Sequence, residues 1–137
     1  MFKIEQANNY GIKVILEKFI KMGEAKNIAK EIRNMNFNSS PIEYIWFEMI
    51  NLEPINKFGL TQVMAYKIGL SEKNIEKVII TINSKKNPLL PEQLKELRKE
   101  NKTSSIEKII DCSTTNYEKI ATNWIKYNIS IPREILL

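Results

Sequence analysis

The stretch Ile75-Glu76-Lys77-Val78-Ile79-Ile80-Thr81-Ile82 decides the fold, because it reads two ways. Val78–Ile82 is a short β-branched run that in isolation suits a strand. Set in the longer stretch that begins at Leu60, the same residues continue an apolar period of helical spacing. That context favours a helix ending near Ile82. With Ile75 and Val78, Ile79, Ile80 and Ile82 make such a helix apolar around most of its circumference, so it would be buried on several sides.

The helical period extends outward in both directions. Ile12, Ile15, Leu16 and Phe19 fall at i, i+3, i+4 and i+7, and so do Ala25, Ile28, Ala29 and Ile32. Gly23 between the two sets reads as a helix stop, giving an N-terminal helical hairpin over 1–35. Ser40-Pro41-Ile42-Glu43 has the form of a capping box with proline at the first helical position. It predicts a helix whose face is Ile42, Ile45, Trp46 and Met49. Pro91 opens a further helix through Leu94 and Leu97. Ser104-Ser105-Ile106-Glu107 and Thr115-Asn116-Tyr117-Glu118 repeat the capping pattern. The tail Ile131–Leu137 is apolar and is expected to pack on the body or on a neighbouring chain. The expected fold is all-α: one compact domain of about seven to eight short helices. Its parts are the hairpin 1–35, a core 41–112 and a C-terminal helix and tail 115–137.

A chain of 137 residues fits one domain and can bury a core without disulfide staples. With 43% apolar and 27% charged residues it is not a wholly disordered chain. It has no histidine and one cysteine, which removes the commonest general base, the paired nucleophiles and most transition-metal sites. Four glycines cannot build a phosphate-cradling loop. Carboxylates such as Glu92, Glu96 and Glu100 alternate with Lys95 and Lys99, as on a solvated helix face. Cys112 reads as a small hydrophobe. No catalytic residue, metal ligand or cofactor is expected. No apolar run is long enough to span a membrane and no secretory leader is recognisable, so a cytoplasmic protein is expected. Lys and Arg total 21 against 16 Asp and Glu, a formal +5 that suits nucleic acid or an acidic protein.

Leu60-Thr61-Gln62-Val63-Met64-Ala65-Tyr66-Lys67-Ile68-Gly69-Leu70-Ser71 carries a second pattern. Ala65 stands where two helices would cross, and Gly69 where they would turn. Met64, Ile68, Leu70, Ile75 and Val78 fall where both helices would be pinned to a core. In this the chain resembles the helix-turn-helix of phage-repressor-like (Cro and lambda repressor type) domains over about residues 42–112. The resemblance implies a DNA-binding transcriptional regulator of a phage or mobile element. It places a recognition helix over 71–80, with Ser71, Lys73 and Lys77 at the DNA and Lys85 and Lys86 in a basic loop behind. Glu72 and Glu76 fall on the same reading face and repel phosphate. The same spacing also fits a plain corner of a helical bundle.

The competing reading is a protein-binding adaptor or inhibitor, such as a phage-encoded anti-defence (anti-CRISPR-like) protein. Aromatic residues would anchor its partner. Trp46 and Trp124 lie on apolar stripes and belong to the core. Tyr44, Phe47 and Tyr127 lie off those stripes and are the anchor candidates. The expected partners are therefore DNA or a protein complex, and a homodimer is compatible with either.

Overall fold

A computed structural model describes residues 2–8, 11–19, 23–34, 43–54, 75–100 and 106–137. It is a mixed α/β fold, which overturns the all-α expectation. The elements run β1 (Phe2–Asn8), β2 (Gly11–Leu16), α1 (Glu24–Asn34), β3 (Tyr44–Met49), β4 (Lys77–Ile82), α2 (Leu90–Glu100), β5 (Ile106–Asp111) and α3 (Tyr117–Tyr127). A single turn of 3-10 helix, Arg133–Ile135, follows.

The strands form one five-stranded sheet in the order β1-β2-β3-β4-β5. β1 and β2 are an antiparallel hairpin; β2, β3, β4 and β5 are parallel. In a sheet whose order advances steadily, crossovers of one hand all fall on one face. α1 and α2 accordingly share a face: Ile28 of α1 and Leu90, Leu94 and Leu97 of α2 join one core cluster. That cluster takes Ile12, Val14 and Leu16 from β2 and Ile45, Phe47 and Met49 from β3, with Val78, Ile80 and Ile82 from β4. The opposite face packs Trp46 and Ile79 with Ile110 against Ala121 and Trp124 of α3 and Ile131 of the tail.

This arrangement explains the misreading of the opening stretch. β4 has a strand on each side and apolar cover on both faces. Such a strand has no need of polar alternation, so it reads as a continuous apolar run. A dense run satisfies helical spacing by accident. Ile12–Leu16 also matches helical spacing by accident and is β2 rather than half of a helical hairpin, and Ile106–Ile110 is β5 rather than a capped helix. Ile45, Trp46 and Met49 belong to β3. Most of the first capping box lies outside the described residues.

The helix-turn-helix is corrected in its described half. Ile75 and Glu76 are not helical and Lys77–Ile82 is a central strand, so no recognition helix spans 71–80. Leu60–Asn74 lies outside the described residues.

Helices do occur where α1, α2 and α3 were expected. Gly23 precedes α1 instead of stopping a helix. Its φ of 91° lies where L-residues rarely go, and its carbonyl accepts from the Lys26 amide at 3.1 Å. α3 starts after Asn116 and closes at Asn128, both in the left-handed conformation that asparagine tolerates. Beyond it the tail docks on the outer edge of β5. Leu136 bridges Ile110 and the Leu137 amide donates to the Ile109 carbonyl at 3.0 Å.

Candidate functional site

Three regions hold the side chains with chemistry. The first is the loop cluster at the carboxyl ends of the parallel strands. Asp111 ends β5, and its carboxylate accepts from the Ser84 amide at 3.1 Å and the Ser113 amide at 3.0 Å. Burial alone would push this carboxyl up. Hydrogen bonds from Ser84 and Ser113, side chain and backbone, outweigh it and hold the group below the ordinary aspartate range. Asp111 thus ties the loop after β4 to the loop after β5. Asn83 accepts from the amides of Lys85 and Lys86 at 3.2 and 3.3 Å, turning the chain there. Buried Asn87 donates to the Leu52 carbonyl at 3.5 Å. Burial, and then Asp111 beside it, push the half-buried Cys112 thiol up, away from a reactive thiolate. Among the described residues no three His, Cys, Asp or Glu side chains gather where they could hold a metal ion.

The second region is the α3 face of the sheet. Parallel register places Gly11, Lys13 and Ile15 beside Tyr44, Trp46 and Glu48, and these beside Lys77, Ile79 and Thr81. Lys13 pairs with Glu48 at 3.3 Å and stands 4.6 Å over the Trp46 ring. Trp46 donates its Nε1–H to the buried Thr81 hydroxyl at 3.0 Å. The Tyr44 ring lies on Gly11, where any Cβ would fall inside it. These groups satisfy one another and describe a packed interface rather than an open site.

The third region is the amino-terminal end of β4 and β5. Lys77 opens β4, and its ammonium donates to the Trp124 carbonyl at 2.8 Å and to Asn128 Oδ1 at 3.1 Å. It also stands 5.0 Å over the Trp124 ring. It therefore holds the last turn of α3 against the sheet. Ile106 is the register partner of Lys77 on the same face. Around this junction three large apolar side chains stay exposed: Ile106 at 56%, Tyr127 at 69% and Ile129 at 53%. Lys126, also exposed, precedes Tyr127 in sequence.

The expected site residues scatter over these regions. Ser71 and Lys73 lie outside the described residues. Lys77 is engaged with α3 and is not a DNA contact on a free helix. Lys85 and Lys86 are exposed in the turn after β4, where Lys86 pairs with Glu53 at 3.4 Å. Tyr44 and Phe47 are buried, at 6% and 0% exposure, so neither can anchor a partner. Tyr127 alone of the three aromatic candidates is exposed. Ile106 and Ile129 were missed, yet each carries a signal. Ile106 follows the polar pair Ser104-Ser105 in sequence, and Ile129 follows Asn128, which closes α3. No protein-family model, no curated protein and no solved structure matches this chain.

Proposed function

We propose that this is a non-catalytic protein-binding module whose docking surface is the Ile106–Tyr127–Ile129 patch. The observation that carries the reading is the exposure of three large apolar side chains at one end of the sheet, around a junction fixed by Lys77. Exposed large apolar side chains gathered at one junction of a small domain mark an interaction site more often than scattered single residues do. A rigid tyrosine flanked by aliphatic residues is the kind of anchor that dominates interface energetics. Exposed Lys126 adds a cationic rim suited to a partner with acidic residues around its apolar contact. Strand β4 has taken the place of the recognition helix, so DNA binding lacks the element that would have carried it.

The test is recovery of a stoichiometric protein partner by the tagged chain, with nuclease present. Tyr127→Ala combined with Ile129→Ser should reduce recovery at least tenfold while leaving the thermal midpoint within about 2 °C, since both side chains are mostly exposed. A Phe19→Ser, Leu89→Ser variant, altered elsewhere on the surface, should still recover the partner. Undiminished recovery by the Tyr127 variant, or recovery that nuclease abolishes, would refute the proposal.

A further inference from the structure

The two edges of the sheet are treated differently. On β5 the tail lies along the outer edge at Ile109 and Ile110. At the other end of the strand order, among the described residues, β1 pairs only with β2 and its outer edge has no partner strand. An uncovered edge is a template for another strand. The ladder is regular from Phe2 to Gln6 and shifts register between Gln6 and Asn8, which limits the usable edge to five residues.

Those five residues are complementary to themselves. Phe2, Ile4 and Gln6 share the α1–α2 face; Lys3 and Glu5 share the opposite one. A second β1 laid antiparallel about a two-fold axis at Ile4 sets Ile4 against Ile4, Lys3 against Glu5, and Phe2 against Gln6. Both charged pairs are then of opposite sign, the favourable cross-strand arrangement. Because opposite residues in this register share a face, the α1–α2 face continues across the axis. Ile4 and Phe2 pack on the core yet are only partly buried, so the apolar layer ends incompletely covered at this edge. Lys3 and Glu5 already pair within the strand at 3.0 Å, with side chains 70% and 43% exposed. An exposed pair of this kind contributes little and exchanges easily for a pair with a second copy.

We infer that the chain forms a two-fold homodimer through β1, joining two sheets into one of ten strands. The occupant of the edge is a second copy of this chain, because the charge pattern matches itself under the symmetry a closed dimer requires. A five-residue edge predicts a reversible, concentration-dependent dimer. The inference is independent of Tyr127, which lies at the other end of the strand order.

Sedimentation equilibrium of the full chain tests it. The wild type should show a monomer–dimer equilibrium. Lys3→Glu turns both cross-strand pairs into Glu–Glu, and Glu5→Lys turns both into Lys–Lys. Each should weaken dimerisation about tenfold or more. Lys3→Glu faces Ile15 of β2 and should leave the monomer's melting curve unchanged, whereas Glu5→Lys also faces Lys13 of β2 and should lower it slightly. The double variant, or an equimolar mixture of the two single variants, restores opposite signs and should restore the dimer. A wild type that stays monomeric at every concentration overturns the inference. So does a dimer indifferent to the single substitutions, or one that the double variant fails to recover.

Discussion

The two faces of the sheet solve burial in different ways. Under α1 and α2, β2, β3 and β4 present nine aliphatic or aromatic side chains and no polar one, and each is essentially inaccessible to solvent. Under α3, the same strands present Lys13, Trp46, Glu48, Lys77, Ile79 and Thr81, joined by an ion pair, a buried hydrogen bond and two cation–π contacts. One face draws its stability from packed volume. The other draws less from volume and more from matching each polar group to a specific partner. Substitutions should therefore be costly on the first face for lost volume and on the second for orphaned partners.

The largest effect should come from Phe47→Ala on the aliphatic face. Phe47 is fully buried in the central layer, and its removal should cost about 3–5 kcal/mol in chemical denaturation. A cost below 1 kcal/mol would mean that this layer is loosely packed and the contrast false. On the other face, Thr81→Val keeps shape but removes the acceptor for Trp46 Nε1–H. Leaving that donor buried and unpaired should cost about 1–3 kcal/mol, with a change in Trp46 fluorescence as its readout.

Asp111 sharpens the comparison, since its register partner Ile82 belongs to the aliphatic face although it is itself charged. Asp111→Asn should cost about 1–2 kcal/mol near neutral pH through weakened charge-assisted bonds from Ser84 and Ser113. The folded-state value is depressed, so the wild-type advantage is fully present above the unfolded aspartate value. It is lost as pH falls through the lower folded value. The difference in midpoint between wild type and variant should accordingly shrink below about pH 4. An advantage that grows on acidification would contradict this assignment. The smallest effect, ~1 kcal/mol, is expected for Lys77→Met, which keeps the stem and loses the donor at the end of α3. Hydrogen exchange should then rise in the last turn of α3 and not in α2.

The same contrast explains what the sequence revealed. Amphipathic α1, α2 and α3 each cover one face of the sheet and expose the other side, so their one-sided patterns were legible. Val78–Ile82 has apolar cover on both sides and no solvent face to break its run. Reading it as a helix pulled Ser71, Lys73 and Lys77 into a motif whose described half is a strand. Trp46 and Trp124 were placed in the core from their stripes, and both are buried. On a helical wheel Tyr44 and Phe47 fall off the apolar stripe and look like surface anchors. At a two-residue period Phe47 falls with Ile45 and Met49, and Tyr44 with Trp46. Tyr127 lies on a true helix, and there the exposed position was read correctly.

The stepwise strand order also bears on how the chain acquires its structure. Within the described sheet each strand pairs only with its neighbours in sequence, so each pairing waits only for the next strand to arrive. During synthesis the β1–β2 hairpin can form first, and each later strand finds its template already in place. Slow steps should therefore lie in the crossovers, above all in the long passage from β3 to β4, rather than in the search for strand partners.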